Sequence, residues 1–181
     1  MKCPIVCAFL KYMKNIKSIF AIFGLLIAFS FAAQAQNITF TSLDGAKVDL
    51  SSQKGKVVVL AIGASWLPLS KDQAVAINKL SKKYAGKDVA FYFIATDSTS
   101  AKSKNYASDD EIRKFSQTNK LTISILRDSD GVTSIKQYKI DQMPAFVILN
   151  KEGKLAGTPF GGIDPDTDIS AILSPKIDAI L

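Results

Sequence analysis

The side chains able to do nucleophilic, redox or metal chemistry are few in this sequence, and their placement limits each of them. The only thiols are Cys3 and Cys7, at the extreme N-terminus, and there is no histidine. Without imidazole the chain lacks the usual general base, the commonest metal ligand and any Ser-His-Asp or Cys-His arrangement. Ser65 and Ser70 flank the step Trp66-Leu67-Pro68-Leu69, but a hydroxyl with no base to activate it is read as a solvated or capping group. In the first turn of a helix, Ser70 would meet free backbone amides. The stretch Asp164-Pro165-Asp166-Thr167-Asp168 alternates carboxylates in the manner of a hard-cation loop. An EF-hand needs glycine at its sixth place and glutamate at its twelfth, where Ile169 and Pro175 stand. These acids are therefore read as caps for the final helix, and Asp128-Ser129-Asp130-Gly131 as a turn. Neither a metal ion nor a cofactor is expected.

The N-terminus carries a different message. Lys11, Lys14 and Lys17 precede an apolar run over residues 19–33, interrupted by Gly24 and Ser30, that ends in Ala33-Gln34-Ala35. A basic head, a short apolar core and a small-x-small end predict a secretory signal peptide over residues 1–35, with Met13 as a second start site. The run is shorter than the ~20 residues that cross a bilayer comfortably. An exported, periplasmic domain over residues 36–181, with no stable membrane span after cleavage, is the expectation. Cys3 and Cys7 would leave with the signal. So would Lys2, Lys11, Lys14 and Lys17, taking the net charge from +7 to +3, with 19 basic against 16 acidic side chains. The remaining lysines are dispersed among acids, so the clustered basic face of a nucleic-acid binder is missing.

With 181 residues, 48% hydrophobic and 22% charged, the chain reads as one globular domain behind that segment. Ile38-Thr39-Phe40 and Asp44-Gly45 predict a leading β-hairpin, ending at Gly55. Residues 57–63 form a β-branched apolar run, as expected of a strand buried on both faces. Leu69, Ala76, Ile77, Leu80 and Tyr84 follow at helical spacing, with Gly86 as C-cap. Residues 89–95 read as a second buried strand, with Phe91, Tyr92 and Phe93 all as core. Ser108 and Glu111 form a capping box for a helix that buries Ile112 and Phe115. Residues 121–126 predict a third strand, and Ile135 and Tyr138 mark a short helix. Residues 145–149 pair through a Lys151-Glu152-Gly153 turn with Lys154-Leu155-Ala156. A C-terminal helix bears Ile169, Ile172, Leu173, Ile177, Ile180 and Leu181, with a kink or fresh start expected at Pro175. The sum is an α/β fold: a central mixed β-sheet with helices on both faces and an N-terminal β-hairpin.

Two stretches carry a resemblance. Residues 56–71 (KVVVLAIGASWLPLSK) resemble the strand-turn-helix of the thioredoxin superfamily, and most of all its TlpA-like exported thiol–disulfide oxidoreductases, a redoxin (AhpC/TSA-like) branch. Residues 141–154 (DQMPAFVILNKEGK) resemble the same family's cis-proline strand and hairpin. The resemblance implies a thioredoxin-like fold and a cis Met143-Pro144 bond. It also places Leu67 and Ser70 where the family carries the two cysteines of its Trp-Cys-x-x-Cys motif, and Ala61 where thioredoxins carry a buried acid. The family's chemistry needs a thiolate at a helix N-terminus and a second, resolving thiol. Neither Leu67 nor Ser70 supplies one.

The expectation is therefore a non-catalytic binding or scaffolding module whose partner is an envelope protein or peptide. Its contact surface would be Trp66, Leu67, Pro68, Leu69 and Ser70 with Met143 and Pro144. An exposed apolar corner marks a partner site, and the residue before a cis-proline can pair with an extended peptide. An alternative is a redox-related protein that presents substrates to a cysteine-bearing partner. A third is a relic in which Leu67 and Leu69 merely pack under the loop.

Overall fold

The computed structural model describes residues 38–181; the expected signal segment, with Cys3 and Cys7, lies outside the described residues. A hairpin of β1 (Thr39–Ser42) and β2 (Lys47–Asp49) leads into a 3-10 turn, Leu50–Gln53. Then come β3 (Val57–Gly63), α1 (Ser70–Lys83), β4 (Val89–Ala95), α2 (Asp109–Thr118) and β5 (Ser124–Arg127). A 3-10 turn at Ser129–Gly131 opens α3 (Val132–Tyr138), followed by β6 (Ala145–Leu149), β7 (Phe160–Gly161) and α4 (Ile169–Asp178).

The seven strands form one mixed sheet in the order β2-β1-β5-β4-β3-β6-β7. β3, β4 and β5 run parallel, as helical crossovers require, and β1 and β6 add antiparallel on either side. β3 alternates between two cores. Val57, Val59 and Ala61 meet Ile77, Leu80, Ile112, Leu173 and Ile177 from α1, α2 and α4. Val58, Leu60 and Ile62 meet Leu50, Tyr138 and Ile140 on the opposite face. Burial on both faces is the reason its sequence is an unbroken apolar run.

Four local expectations need correction. The third strand begins at Ser124 rather than at residue 121, because Asn78 of α1 takes the Thr122 N–H and donates to the Lys120 carbonyl, tying that approach to the helix. Leu155 makes only an isolated bridge to Leu149, and β6 pairs instead with Phe160–Gly161. β4 is fully buried only over its second half, so Phe93 is core while Phe91 and Tyr92 are half-buried. Pro175 lies inside α4, so no fresh helix starts there. There Leu173 and Ile177 are buried, and the Tyr84 hydroxyl sits 3.0 Å from Ser174 O and 2.8 Å from Asp178 Oδ1. Tertiary packing outweighs the ~3 kcal/mol helix cost of proline.

The capping box forms, with Ser108 Oγ accepting from Glu111 N–H and Glu111 Oε2 accepting from Ser108 N–H. That backbone donor holds the Glu111 carboxyl below its usual range. Ser170 does the same for Asp168, and the Tyr84 hydroxyl for Asp178. A group whose pKa is lowered by folding stabilises the native state above its unfolded pKa, near 4, and that contribution is lost as pH falls through the folded value. The urea midpoint is expected to be flat between pH 7 and 5 and to drop on going to pH 3. Glu111→Gln, which removes the titrating carboxyl, should shrink that drop, and an identical drop in the variant would remove Glu111 from the account.

Candidate functional site

The parallel strands β3, β4 and β5 all deliver their C-terminal ends to one rim, where α/β sheets place their sites. The loop after β3 is built from inside outward. Gly63 closes the strand at a point where a Cβ would run into Gln73 Oε1 and approach Ser70 Oγ to 2.9 Å. Gln73 is fully buried, and its Nε2 donates to Ile62 O (3.2 Å) and Ala145 O (2.7 Å), joining α1 to β3 and β6. Its Oε1 has no hydrogen-bond partner among the described residues. Ser70 is also fully buried, its Oγ accepting from Ala64 N–H at 3.3 Å.

Asp97 follows β4 and is wholly buried. Its carboxylate accepts from Ser65 N–H (3.0 and 3.1 Å) and from the Ser65 hydroxyl (2.5 Å). Asp97 is thus the pin that holds the turn in front of Trp66. The Ser65 hydroxyl is committed to that contact, and the Ser70 hydroxyl lies inside the fold.

Beyond this scaffold lies a cleft of about 310 Å³. Trp66, Leu67, Ile135 and Met143 give it apolar walls; Thr96, Asn105 and Asp130 supply polar ones. Trp66 is 51% exposed. The Met143-Pro144 bond is cis, in agreement with the resemblance.

Of the seven residues expected at the contact surface, the structure gathers Trp66, Leu67 and Met143 on the cleft. Pro68 is exposed outside it, and Leu69 is partly buried against the α1 side of the core. Ser70 and Pro144 are buried, so neither belongs to the surface. Ser70 also fails to meet the first-turn amides, because its hydroxyl turns back to Ala64.

Thr96, Asp97, Asn105, Asp130 and Gln73 were not foreseen as site residues. Gln73 had a visible signal, as a polar residue on the apolar stripe of α1, four residues after Leu69 and four before Ile77. Asp97 and Asp130 follow buried strands at their C-terminal ends, which in a parallel sheet converge.

The acids near the C-terminus act locally. Asp164 accepts from Asp166 N–H and the Thr167 hydroxyl, and Asp168 caps α4 through Ser170 N–H while pairing with Lys79 at 3.2 Å. Asp128 takes the Thr133 and Ser134 amides of α3 at 3.1 and 2.6 Å. Among the described residues no group of three or more acids, cysteines or histidines is placed to hold a metal ion.

Known proteins share this architecture. Over 120 residues, 66% of this chain, the sequence is 32% identical to a thioredoxin-like protein, YneN, of Bacillus subtilis. Over 122 residues it is 26% identical to the thiol-disulfide oxidoreductase ResA of Bacillus cereus. Both matches span 65% of the relative's length, under two thirds. The fold superposes with a TM-score of 0.66 on a putative thiol:disulfide interchange protein DsbE from Chlorobium tepidum, at 21% identity, covering 81% of this chain and 94% of that one. The model of the AhpC/TSA family matches residues 31–158. A parallel β3-α1-β4 unit, the cis-proline strand beside it and this family match together place the chain in the AhpC/TSA family, as a TlpA-like, thiol–disulfide-oxidoreductase-related member of the thioredoxin superfamily.

Proposed function

We propose that the domain is an exported, non-catalytic binding module that holds a segment of an envelope protein or peptide in the Trp66–Met143 cleft. One observation carries the reading. At the rim where the family's chemistry would reside, an exposed tryptophan, a leucine and a methionine converge, while residues 38–181 contain no cysteine and no histidine. A dithiol exchange has no sulfur there to attack with, whereas an apolar cleft with a few fixed polar groups suits recognition. Met143 lines the cleft two residues before β6 begins. Export is supported by the basic, apolar and small-x-small succession over residues 1–35.

The test is capture from the native envelope fraction by wild type and by Leu67→Asp, with circular dichroism to establish that the variant folds. A partner retained by wild type and at least about tenfold depleted by the variant is the expected result, since a buried unpaired charge costs far more than 1.4 kcal/mol. Equal capture by both would move the interface elsewhere. Dithiothreitol-dependent insulin reduction by the purified protein would overturn the non-catalytic half of the reading. Because the relatives include a thiol-disulfide oxidoreductase, a captured partner that itself bears a Cys-x-x-Cys pair would favour the alternative of assistance to redox chemistry.

A further inference from the structure

Resting on that reading, we propose that the cleft selects a segment in which a lysine or arginine stands beside apolar residues, and that Asp130 is the group that reads the cation. Among the cleft's lining residues Asp130 is the one ionisable side chain. It is exposed, and no ion pair among the described residues engages it. The two neighbouring loop acids are already committed: Asp97 is buried under Ser65, and Asp128 holds the amides of α3.

Asp130 is also held in place. Its backbone is left-handed, with φ +58°, followed by Gly131 at +64°. A Cβ at Gly131 would run into Ile135 and meet Thr96 Cγ2 at 3.3 Å, so the chain is pressed close against two cleft residues. A non-glycine residue in that region is uncommon and is tolerated best by Asp and Asn. One carboxylate oxygen, Oδ2, accepts from the Ser98 hydroxyl at 3.2 Å and the Ser129 hydroxyl at 2.9 Å. Oδ1 takes no hydrogen bond within the described residues and is free for an incoming donor. A fixed anion sharing a cleft with a half-exposed tryptophan is complementary to a cation, because an aromatic ring's quadrupole attracts a cation as well. In a chain whose described region carries more lysine and arginine than acid, this is a local reversal of sign.

Trp66 is the chain's only tryptophan, so intrinsic fluorescence reports directly from the cleft. The probes are three capped octapeptides, identical in valine, leucine and glycine content, with Lys, Gln or Glu at the centre, titrated at low salt with calorimetry in parallel. Wild type should bind them in the order Lys, Gln, Glu, with about fivefold or more between the first and last, and 0.5 M salt should compress the spread. Asp130→Asn keeps the left-handed backbone and an acceptor for the two serine hydroxyls, so it should fold as wild type and lose the order. Equal binding of all three peptides to wild type would overturn the charge proposal while leaving the binding module standing. An order unchanged in Asp130→Asn would assign the charge elsewhere and overturn it too. Binding of none, by fluorescence or heat, would overturn both readings together.

Discussion

Leu67→Cys combined with Ser70→Cys is expected to turn a protein with background insulin reduction into one with clear dithiol turnover, at least tenfold above wild type. The positions are three apart and joined by a hydrogen bond from Ser70 N–H to Leu67 O at 3.0 Å. Such a turn keeps the two Cα atoms within ~7 Å, a bound that takes in the ~4.4–6.8 Å range over which disulfides close. Position 67 stands just before α1, where backbone amides stabilise a thiolate, and it opens on the cleft. Position 70 is buried behind it, a suitable place for a thiol that resolves a mixed disulfide. Ala61, in the place where the resemblance puts an assisting acid, should keep the rate modest. Each single variant should remain at background, since one sulfur can form the mixed disulfide but not release it. Thiol titration should find two more groups per chain than wild type after reduction and none more after oxidation. A folded double variant that forms the disulfide yet never exceeds wild type would refute the assignment of these positions to the family's two cysteines.

Phe93→Ala should cost about 3–5 kcal/mol of folding stability, a large share of the ~5–15 kcal/mol that a domain possesses. Phe93 is fully buried, its ring lies 5.6 Å from that of Phe115 at a tilt of 42°, and its Cζ comes within 3.3 Å of where a Cβ on Gly63 would stand. Its removal therefore opens a cavity in the core beside Gly63. Phe91→Ala, two residues away on the same face of β4 but only half-buried, should cost clearly less. Urea unfolding of both variants measures the difference. Equal losses would mean that the cavity collapses, so that partial exposure does not govern the cost.

The contrast between those two phenylalanines marks where sequence reading stops. β3 was legible to the residue because burial on both faces leaves an apolar run with no other explanation, and the capping box was legible because both partners lie within one turn. Phe91, Tyr92 and Phe93 look alike in one dimension. What separates them is how far the helices reach over β4, which is a property of the assembled layers. Pro175 follows the same logic, since the contacts that hold α4 through it come from Tyr84, ninety residues earlier. Of the site, the Trp66 loop and the Met143-Pro144 turn were readable from motif. The inward turn of Ser70 was not, because its acceptor role depends on how the chain bends between Gly63 and α1. Asp97 and Asp130 were invisible as partners of the cleft for a related reason. Each is an ordinary loop acid until parallel strands bring their ends together.

The outer strands of the sheet carry a consequence for solubility. One margin is β2, three residues long and beginning and ending in the charged Lys47 and Asp49; the other is β7, just two residues. Unpaired edges invite templated association, and brevity together with charge is how soluble proteins discourage it. The apolar strands β3 and β6 are thus screened from neighbouring copies by their flanking strands. Among the described residues the sheet therefore offers almost no backbone ladder for another chain to extend, even though Trp66 stands open to water.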